Sequence, residues 1–514
     1  MPVMRKEVVM SDVMSTLGTL FSNIPWDRLL KQFVYDPQSP MIFSSGIFLW
    51  LVAGFLIVYA LLHRADTLRL LFVTCFSYYF YYKSSGFYFF LLAVVTCSDY
   101  LIAQVMARTA SKSRRKWLVA LSLLIDLGLL GYFKYTNFFG HIFSQISGMP
   151  FHNMNIFLPV GISFFTFQSL SYTIDVYRGR IKPLNRLLDY TFYVSFFPQL
   201  VAGPIVRAAD FIPQIRKPLL VTREMLGTGI WFIACGLFKK AVISDYISVN
   251  FVERIFDNPS LYSGLENLLG VYGYALQIYC DFSGYSDMAI GIALLLGFRF
   301  NINFDSPYKS ASVTEFWRRW HISLSSWLRD YLYISLGGNR KGKVRQYLNL
   351  MITMFLGGLW HGASWNFVVW GTLHGVALAV HKMWMTITGQ RMGVPYRRRW
   401  LQVLCVIVTF HFACLCWIFF RNKEFSSSLT MIHQIFTSFH PELLWQLITG
   451  YWQVFALMGL GYVLHFVPQS WEQRCKQAFV RLPMLTYVLV LVLLVVLIVQ
   501  IKSSDIQPFI YFQF

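Results

Sequence analysis

Charged residues are scarce in this sequence. Only 13% of its 514 residues are charged, whereas 56% are hydrophobic. Soluble globular proteins carry about 25% charged residues. The shortage excludes an ordinary soluble domain, and repeated long apolar runs predict a protein that crosses a membrane many times.

Other absences exclude further classes of function. The eight cysteines have no metal-ligand spacing, since Cys414 and Cys416 stand two apart inside an apolar run, and they indicate neither a metal site nor a disulfide framework. Neither an H-E-x-x-H motif nor a P-loop is present. The net charge of +20 does not indicate nucleic acid, because Lys and Arg fill short loops between apolar runs, where they set topology and meet anionic lipid.

The apolar runs predict an all-α polytopic fold with roughly eleven full crossings and several partial ones. They lie near 41–62, 68–83, 86–106, 117–133, 156–177, 187–205, 225–252, 264–297 (expected as two pieces), 346–361, 363–385, 402–420, 450–467 and 484–501. Basic clusters between the runs are expected to face the cytoplasm, which leaves both chain ends outside.

Three parts follow from this pattern. Residues 1–40 are expected to form an extracytoplasmic segment with an amphipathic helix, 41–501 the membrane domain, and 502–514 an extracytoplasmic tail. Within the membrane domain, "FFPQLVAGPIVRAADFIPQIRKP" (196–218) carries four prolines and basic residues on both sides of its apolar part. This predicts a re-entrant loop beside a central cavity, because irregular backbone at that depth must be buried in protein or line a wet space.

A second re-entrant region is predicted at 306–345, on the cytoplasmic side. Ser312 and Glu315 form an S-x-x-E capping pattern, which predicts a helix over about 313–334. An apolar face recurs along it at helical spacing: Trp317, Trp320, Leu324, Trp327 and Tyr331. Arg318 and Arg329 lie on another face, where they would meet an anionic ligand or, equally, lipid headgroups.

The stretch "GGLWHGASWNF" (357–367) places His361 in one of the most apolar parts of the chain. An ionisable residue at bilayer depth is costly and indicates function, although a packed core histidine is the alternative. Trp360 and Trp365 would wall the site, unless they are interface anchors. A neutral imidazole is a good general base, suited to deprotonating a hydroxyl that attacks an activated acyl group.

Other polar residues in apolar segments need a reason as well. His321 lies on the apolar face of its predicted helix, where a surface histidine is not expected. Asp281, Ser283, Ser286 and Asp287 are expected to line the cavity or to close a helix break. The glycines around His361 allow either close approach of a ligand or tight helix packing.

Two long stretches resemble the membrane-bound O-acyltransferase family: "EFWRRWHISLSSWLRDYLYISLGGNR" (315–340) and "GGLWHGASWNFVVWGTLHG" (357–375). "FPQLVAGPIVR", "QIYCDFSGYSDMAIGIALLLGF" and "FFRNKEF" fit its bacterial branch that acylates envelope polymers. The resemblance implies a ring of membrane helices around a tunnel, with His361 as the catalytic histidine and His321 as the second histidine. From the residue patterns above, we assign substrate binding to Trp317, Arg318, Trp327, Arg329, Trp360 and Trp365.

The resemblance further implies an acetyltransferase of the bacterial inner membrane that modifies a cell-envelope or secreted polysaccharide. The donor would be a cytoplasmic thioester, acetyl-CoA or an acylated carrier, with no tightly bound cofactor and no metal. A periplasmic acetyltransferase is the expected partner. D-alanyl transfer to teichoic acid from a carrier protein, a membrane transporter and a recruiting scaffold remain the alternatives.

The tail ends in "PFIYFQF", which resembles carboxy-terminal tyrosine motifs of related acylation systems. This predicts that Tyr511 carries the acyl group outward after accepting it beside His361. An aromatic anchor at the membrane interface is the alternative.

Overall fold

The structure is a computed structural model that describes residues 31–37, 40–389, 398–501 and 510. In this part of the chain the regular secondary structure is helical, without a strand, which confirms the all-α class there. Most of the expected amphipathic helix in 1–40 lies outside the described residues, and so does Tyr511. The predicted division into three parts stays a prediction.

The first half of the described chain begins with five longer helices, and three short ones follow. They are α1 Gly46–Leu61, α2 Asp66–Ser85, α3 Phe89–Arg108, α4 Lys112–Ser147, α5 Ile162–Tyr177, α6 Leu187–Ser195, α7 Phe197–Leu200 and α8 Ala208–Ile215. A 3-10 turn, Gly86–Tyr88, joins α2 to α3.

The second half carries the predicted site. Its helices are α9 Arg223–Asp257 with π-helical turns inside it, α10 Gly264–Leu295, α11 Val313–Arg319, α12 Ile322–Trp327, α13 Lys343–His361, α14 Trp365–Thr388, α15 Arg399–Arg421, α16 Phe425–Thr437, α17 Leu444–Gly450, α18 Trp452–Phe466, α19 Gln469–Val480 and α20 Met484–Ile501.

Several helices of the described chain have the length and hydropathy to cross a membrane. Four stretches meet both criteria: Asp66–Arg108, Lys112–Ser147, Arg223–Asp257 and Arg399–Arg421. Two sharply bent pairs, α17 with α18 and α19 with α20, raise the number to six if each pair is one span. The chain is therefore a multi-pass membrane protein, and the count of eleven crossings stays a prediction.

The proline-rich stretch 196–218 does not form a spanning helix. It holds only the short helices α7 and α8, and Phe197 and Phe211 within it are fully buried. Asp189, just before the stretch, pairs with Arg216 near its end. The two ends of the stretch therefore lie close together, as expected for a re-entrant segment. The irregular backbone between α7 and α8 is enclosed by protein.

The prediction of two pieces over 264–297 is wrong. Ser263 and Glu266 form a capping box, and α10 continues without interruption to Leu295. Its polar side chains do not break it, because neighbouring segments supply their partners. Asp287 pairs with Lys239, Asp281 pairs with Lys240, and Ser286 accepts a hydrogen bond from Asn303.

The prediction of one helix over 313–334 is also wrong. Ser312 caps it as expected, with its hydroxyl accepting from the Glu315 amide at 3.2 Å, but α11 ends at Arg319. His321 then adopts a left-handed conformation with φ 43°, which is uncommon for a residue other than glycine. Asn303 accounts for the break, because it accepts hydrogen bonds from the Ile322 and Ser323 amides that begin α12.

Two glycines place α13 directly against α14. A Cβ on Gly358 would stand 2.3 Å from the Phe367 carbonyl oxygen, and one on Gly371 would stand 2.4 Å from the Met354 carbonyl oxygen. Of the two interpretations of these glycines, tight helix packing is the one the structure supports. This contact fixes the end of α13, where His361 lies.

Candidate active site

His361 is the last residue of α13 and is 3% exposed. Among the described residues, three aromatic rings contact its imidazole: those of Trp360 and Trp370, each with its centroid 4.9 Å away, and that of Phe420 at 5.2 Å. These edge-on aromatic contacts hold the ring in one place. The imidazole is therefore held in an apolar surround, as a base acting away from bulk water requires.

A cavity that is partly open to the surface borders His361 and Trp360. Its other walls are the chain from Leu158 to Phe164, which leads into α5, and Lys134 from the long helix α4. The Lys134 ammonium donates to the carbonyl oxygens of Trp360 at 2.7 Å and His361 at 2.8 Å. A cation on the last carbonyls of α13 satisfies groups that the helix leaves open and opposes the negative end of its dipole.

His321 is completely buried, and its position is fixed through Asn303. Its Nδ1 lies 3.2 Å from the Asn303 side-chain oxygen, an acceptor, so Nδ1 is the protonated nitrogen in the neutral ring. The same oxygen accepts from the Ser323 hydroxyl at 2.9 Å. Nε2 is then the basic nitrogen of His321.

The two histidines both contact Trp360. The ring centroid of Trp360 lies 6.3 Å from that of His321 and 4.9 Å from that of His361. Phe164 contacts both Trp360 and His321, with centroids at 5.5 Å and 6.3 Å. Two imidazoles that are forty residues apart in sequence thus belong to one aromatic cluster beside one cavity.

The other predicted site residues separate into an inner and an outer group. Trp327 stacks on Phe167 at 3.8 Å, and Phe167 in turn stacks on Trp360. Trp317 donates from its indole nitrogen to His374 at 3.2 Å. Both tryptophans are buried and join the cluster around Trp360.

The outer group comprises Trp365, Arg318 and Arg329. Trp365 is 54% exposed and packs on Phe138. Arg318 is exposed, and Arg329 is exposed and paired with Asp330 at 2.6 Å. Burial raises the pKa of Asp330, but hydrogen bonds from Arg329 and Arg207 outweigh it and hold that pKa below its ordinary value. Asp330 therefore remains anionic and pairs with both Arg329 and Arg207.

Sequence reasoning missed Lys134 and Asn303. Lys134 directly follows the apolar run 117–133, where a cation at membrane depth should have been questioned in the same way as His361. Asn303 carries no comparable signal, since asparagine is common in loops. Within the described chain, no group of three or more His, Cys, Asp or Glu side chains is arranged as metal ligands would be.

We expect Asn303→Ala to lower turnover about tenfold, because His321 loses the acceptor that fixes its orientation and tautomer. Steady-state kinetics with purified protein should show a lower kcat and an unchanged KM for the acyl donor. Asn250→Ala is a matched control, since Asn250 is a partly buried asparagine that donates to the Tyr246 carbonyl oxygen in α9. Equal losses in both variants would indicate general destabilisation instead.

Comparison with known proteins agrees with this arrangement. The sequence pattern of the membrane-bound O-acyltransferase family matches residues 180–420, which include both histidines. The chain is 40% identical to a probable alginate O-acetylase of Pseudomonas aeruginosa, over 77% of this chain and 75% of the relative. It is 38% identical to a peptidoglycan O-acetyltransferase of Helicobacter pylori, over 65% and 67%. A teichoic acid D-alanyltransferase of Bacillus subtilis is 30% identical, over 54% and 71%.

Proposed function

The chain belongs to the membrane-bound O-acyltransferase family and is an O-acyltransferase; from that premise we propose that it moves an acetyl group across the membrane for O-acetylation of a cell-envelope or secreted polysaccharide. The observation that carries the proposal is the pair of buried histidines that contact Trp360 beside a cavity. Relatives that acetylate alginate or peptidoglycan support a polysaccharide acceptor.

His361 is the general base of the proposed reaction. It takes the proton of the acceptor hydroxyl while the oxygen bonds to the carbonyl carbon of the thioester, and the carbon–sulfur bond breaks. The departing thiolate then takes the proton from the imidazolium, which leaves an ester, a free thiol and a neutral histidine. The aromatic surround supports this role, because it disfavours the charged imidazolium and so keeps the ring neutral, the form that can accept a proton.

The thioester arrives from the cytoplasmic side in this proposal. The predicted re-entrant region 306–345 carries a run of basic residues, and Arg318 and Arg329 are exposed there. Arg318 is the better candidate for contacting an anionic donor, since Arg329 is paired with Asp330. Acetyl-CoA and an acylated carrier protein both present a phosphopantetheine arm, and both remain candidate donors.

The cavity beside His361 is assigned to the opposite, extracytoplasmic side. α4 begins in a basic cluster predicted to face the cytoplasm, and Lys134 lies more than twenty residues further along this helix. The chain from Leu158 to Phe164 includes the start of α5, which leads back to basic residues after Tyr177. His361 would therefore be reached from outside by the acceptor, in a protein of the bacterial inner membrane.

Tyr511 is the proposed first acceptor. Its phenol would receive the acetyl group with help from His361 and pass it to a periplasmic acetyltransferase, which acylates the polysaccharide. A phenolate leaves more readily than an alkoxide, because a phenol has a pKa near 10. Tyr511 lies outside the described residues, but Ile510, which precedes it, is buried within the protein.

The donor is tested with purified protein in nanodiscs, given either radiolabelled acetyl-CoA or a carrier protein charged with acetate or D-alanine. We expect acetyl transfer to the protein or to an added acceptor, and none when His361 is replaced by asparagine. Mass spectrometry of the modified polymer from cells separates acetyl from alanyl esters. Alanyl esters would replace the acetyl proposal with D-alanyl transfer, the activity of the relative from Bacillus subtilis.

A further inference from the structure

Ile510 is deeply buried, although it lies only four residues before the end of the chain. Its side chain is 3% exposed and belongs to the main hydrophobic core. Its backbone amide donates to Oδ2 of Asp281 in α10 at 3.1 Å. A carboxylate inside a membrane domain thus accepts a hydrogen bond from the main chain of the tail.

Asp281 belongs to a buried ion network with α9. Its Oδ1 lies 2.5 Å from the ammonium of Lys240, which also lies 2.8 Å from Oδ1 of Asp245. The side chains of Lys240 and Asp281 are 2% and 3% exposed. Burial of these charges is tolerated only with good hydrogen-bond partners on every oxygen.

The two oxygens of Asp281 have different partners. Oδ1 pairs with Lys240, which also pairs with Asp245, and Oδ2 accepts from the tail. A buried carboxylate oxygen needs a hydrogen-bond donor, because leaving it without one is costly. The Ile510 amide supplies that donor.

We propose that the Lys240–Asp281 ion pair is a docking site for the protein's own C-terminal tail, held through the backbone amide of Ile510. Recognition by a main-chain amide fixes the position of the tail without depending on the Ile510 side-chain identity. The core contacts of the Ile510 side chain add an apolar contribution. The proposal rests on the proposed function for its purpose, since it would hold position 511 for acyl transfer.

The location of the docking site fits that purpose. Phe282 follows Asp281 in α10, and its ring lies edge-on to His321 with centroids 4.6 Å apart. His321 and His361 both contact Trp360. The residue that accepts the tail amide is thus followed in α10 by one whose ring contacts the histidine cluster.

The first test measures hydrogen–deuterium exchange of the C-terminal peptide in the full-length protein in detergent. We expect a slowly exchanging amide in the wild type, and exchange at least about tenfold faster in Asp281→Leu. Asp287→Leu is the matched control. Asp287 lies six residues after Asp281 in α10 and pairs with Lys239 of α9. The control should leave the slow amide unchanged. Slow exchange that persists in Asp281→Leu would overturn the docking site.

The second test keeps α9 and α10 intact and changes only the tail. Ile510→Pro removes the amide hydrogen, whereas Ile510→Val keeps it together with a similar apolar side chain. We expect Ile510→Pro to reduce acetylation of the polysaccharide at least about tenfold and Ile510→Val to leave it near the wild-type level. Wild-type acetylation in Ile510→Pro, when Tyr511→Phe is inactive, would contradict the proposal.

The two tests separate docking from acyl relay. If Asp281→Leu frees the tail amide while Tyr511→Phe keeps full acetylation, the docking site stands and the relay fails. If Tyr511→Phe is inactive while the tail amide exchanges rapidly in the wild type, the relay stands and the docking site fails.

Discussion

Replacing His361 with alanine is expected to lower polysaccharide acetylation by about a hundredfold to ten-thousandfold, the usual contribution of a general base. The imidazole lies in an aromatic cluster beside the cavity, where it can take a proton from an acceptor hydroxyl. Ester content of the isolated polysaccharide is the measurement. His361→Asn should behave like the alanine variant while leaving a smaller void.

The control for His361 is His433→Ala, since His433 is an exposed histidine of α16. It should keep wild-type acetylation. Membrane levels and thermal stability of all three variants need to match, because removal of a buried side chain also leaves a cavity. Substantial acetylation in stable His361→Asn protein would remove the histidine from the chemistry and favour the scaffold alternative.

Tyr511→Phe is expected to abolish acetylation while leaving expression unchanged. The substitution removes one hydroxyl oxygen, the atom that would carry the acetyl group, and preserves the aromatic ring. If the tail served only as an aromatic anchor at the membrane interface, phenylalanine would replace tyrosine without loss. Tyr132→Phe is the control, because Tyr132 is an exposed tyrosine of α4.

A direct measurement complements this variant. Cells that lack the periplasmic acetyltransferase should accumulate the acetylated tail, which mass spectrometry of the C-terminal peptide detects as one added acetyl group. Its appearance should require His361. Unchanged polysaccharide acetylation in Tyr511→Phe, with no acetylated tail peptide, would rule the relay out.

Local patterns were sufficient for several features. Low charge and long apolar runs predicted a multi-pass helical protein, and prolines predicted the irregular segment 196–218. Ser312 and Glu315 predicted where α11 begins. These predictions succeed because they depend on residues that are close to each other in the sequence.

Helix interruptions were not predicted correctly, because their causes are distant in sequence. α10 was expected to break at its polar residues, but Lys239 and Lys240 of α9 satisfy its carboxylates. The helix after Ser312 was expected to continue, but Asn303 takes the amides that follow His321. The same carboxylates would break or kink a helix that lacked such neighbours.

The sequence by itself determined that this protein is a membrane O-acyltransferase and where its two histidines stand along the chain, because composition and long motifs are properties of the chain alone. Only the tertiary structure decided what holds them. Lys134 reaches the end of α13 across 227 residues, and the Ile510 amide reaches Asp281 across 229. Such contacts arise when packed helices bring separate segments together, and no local pattern records them.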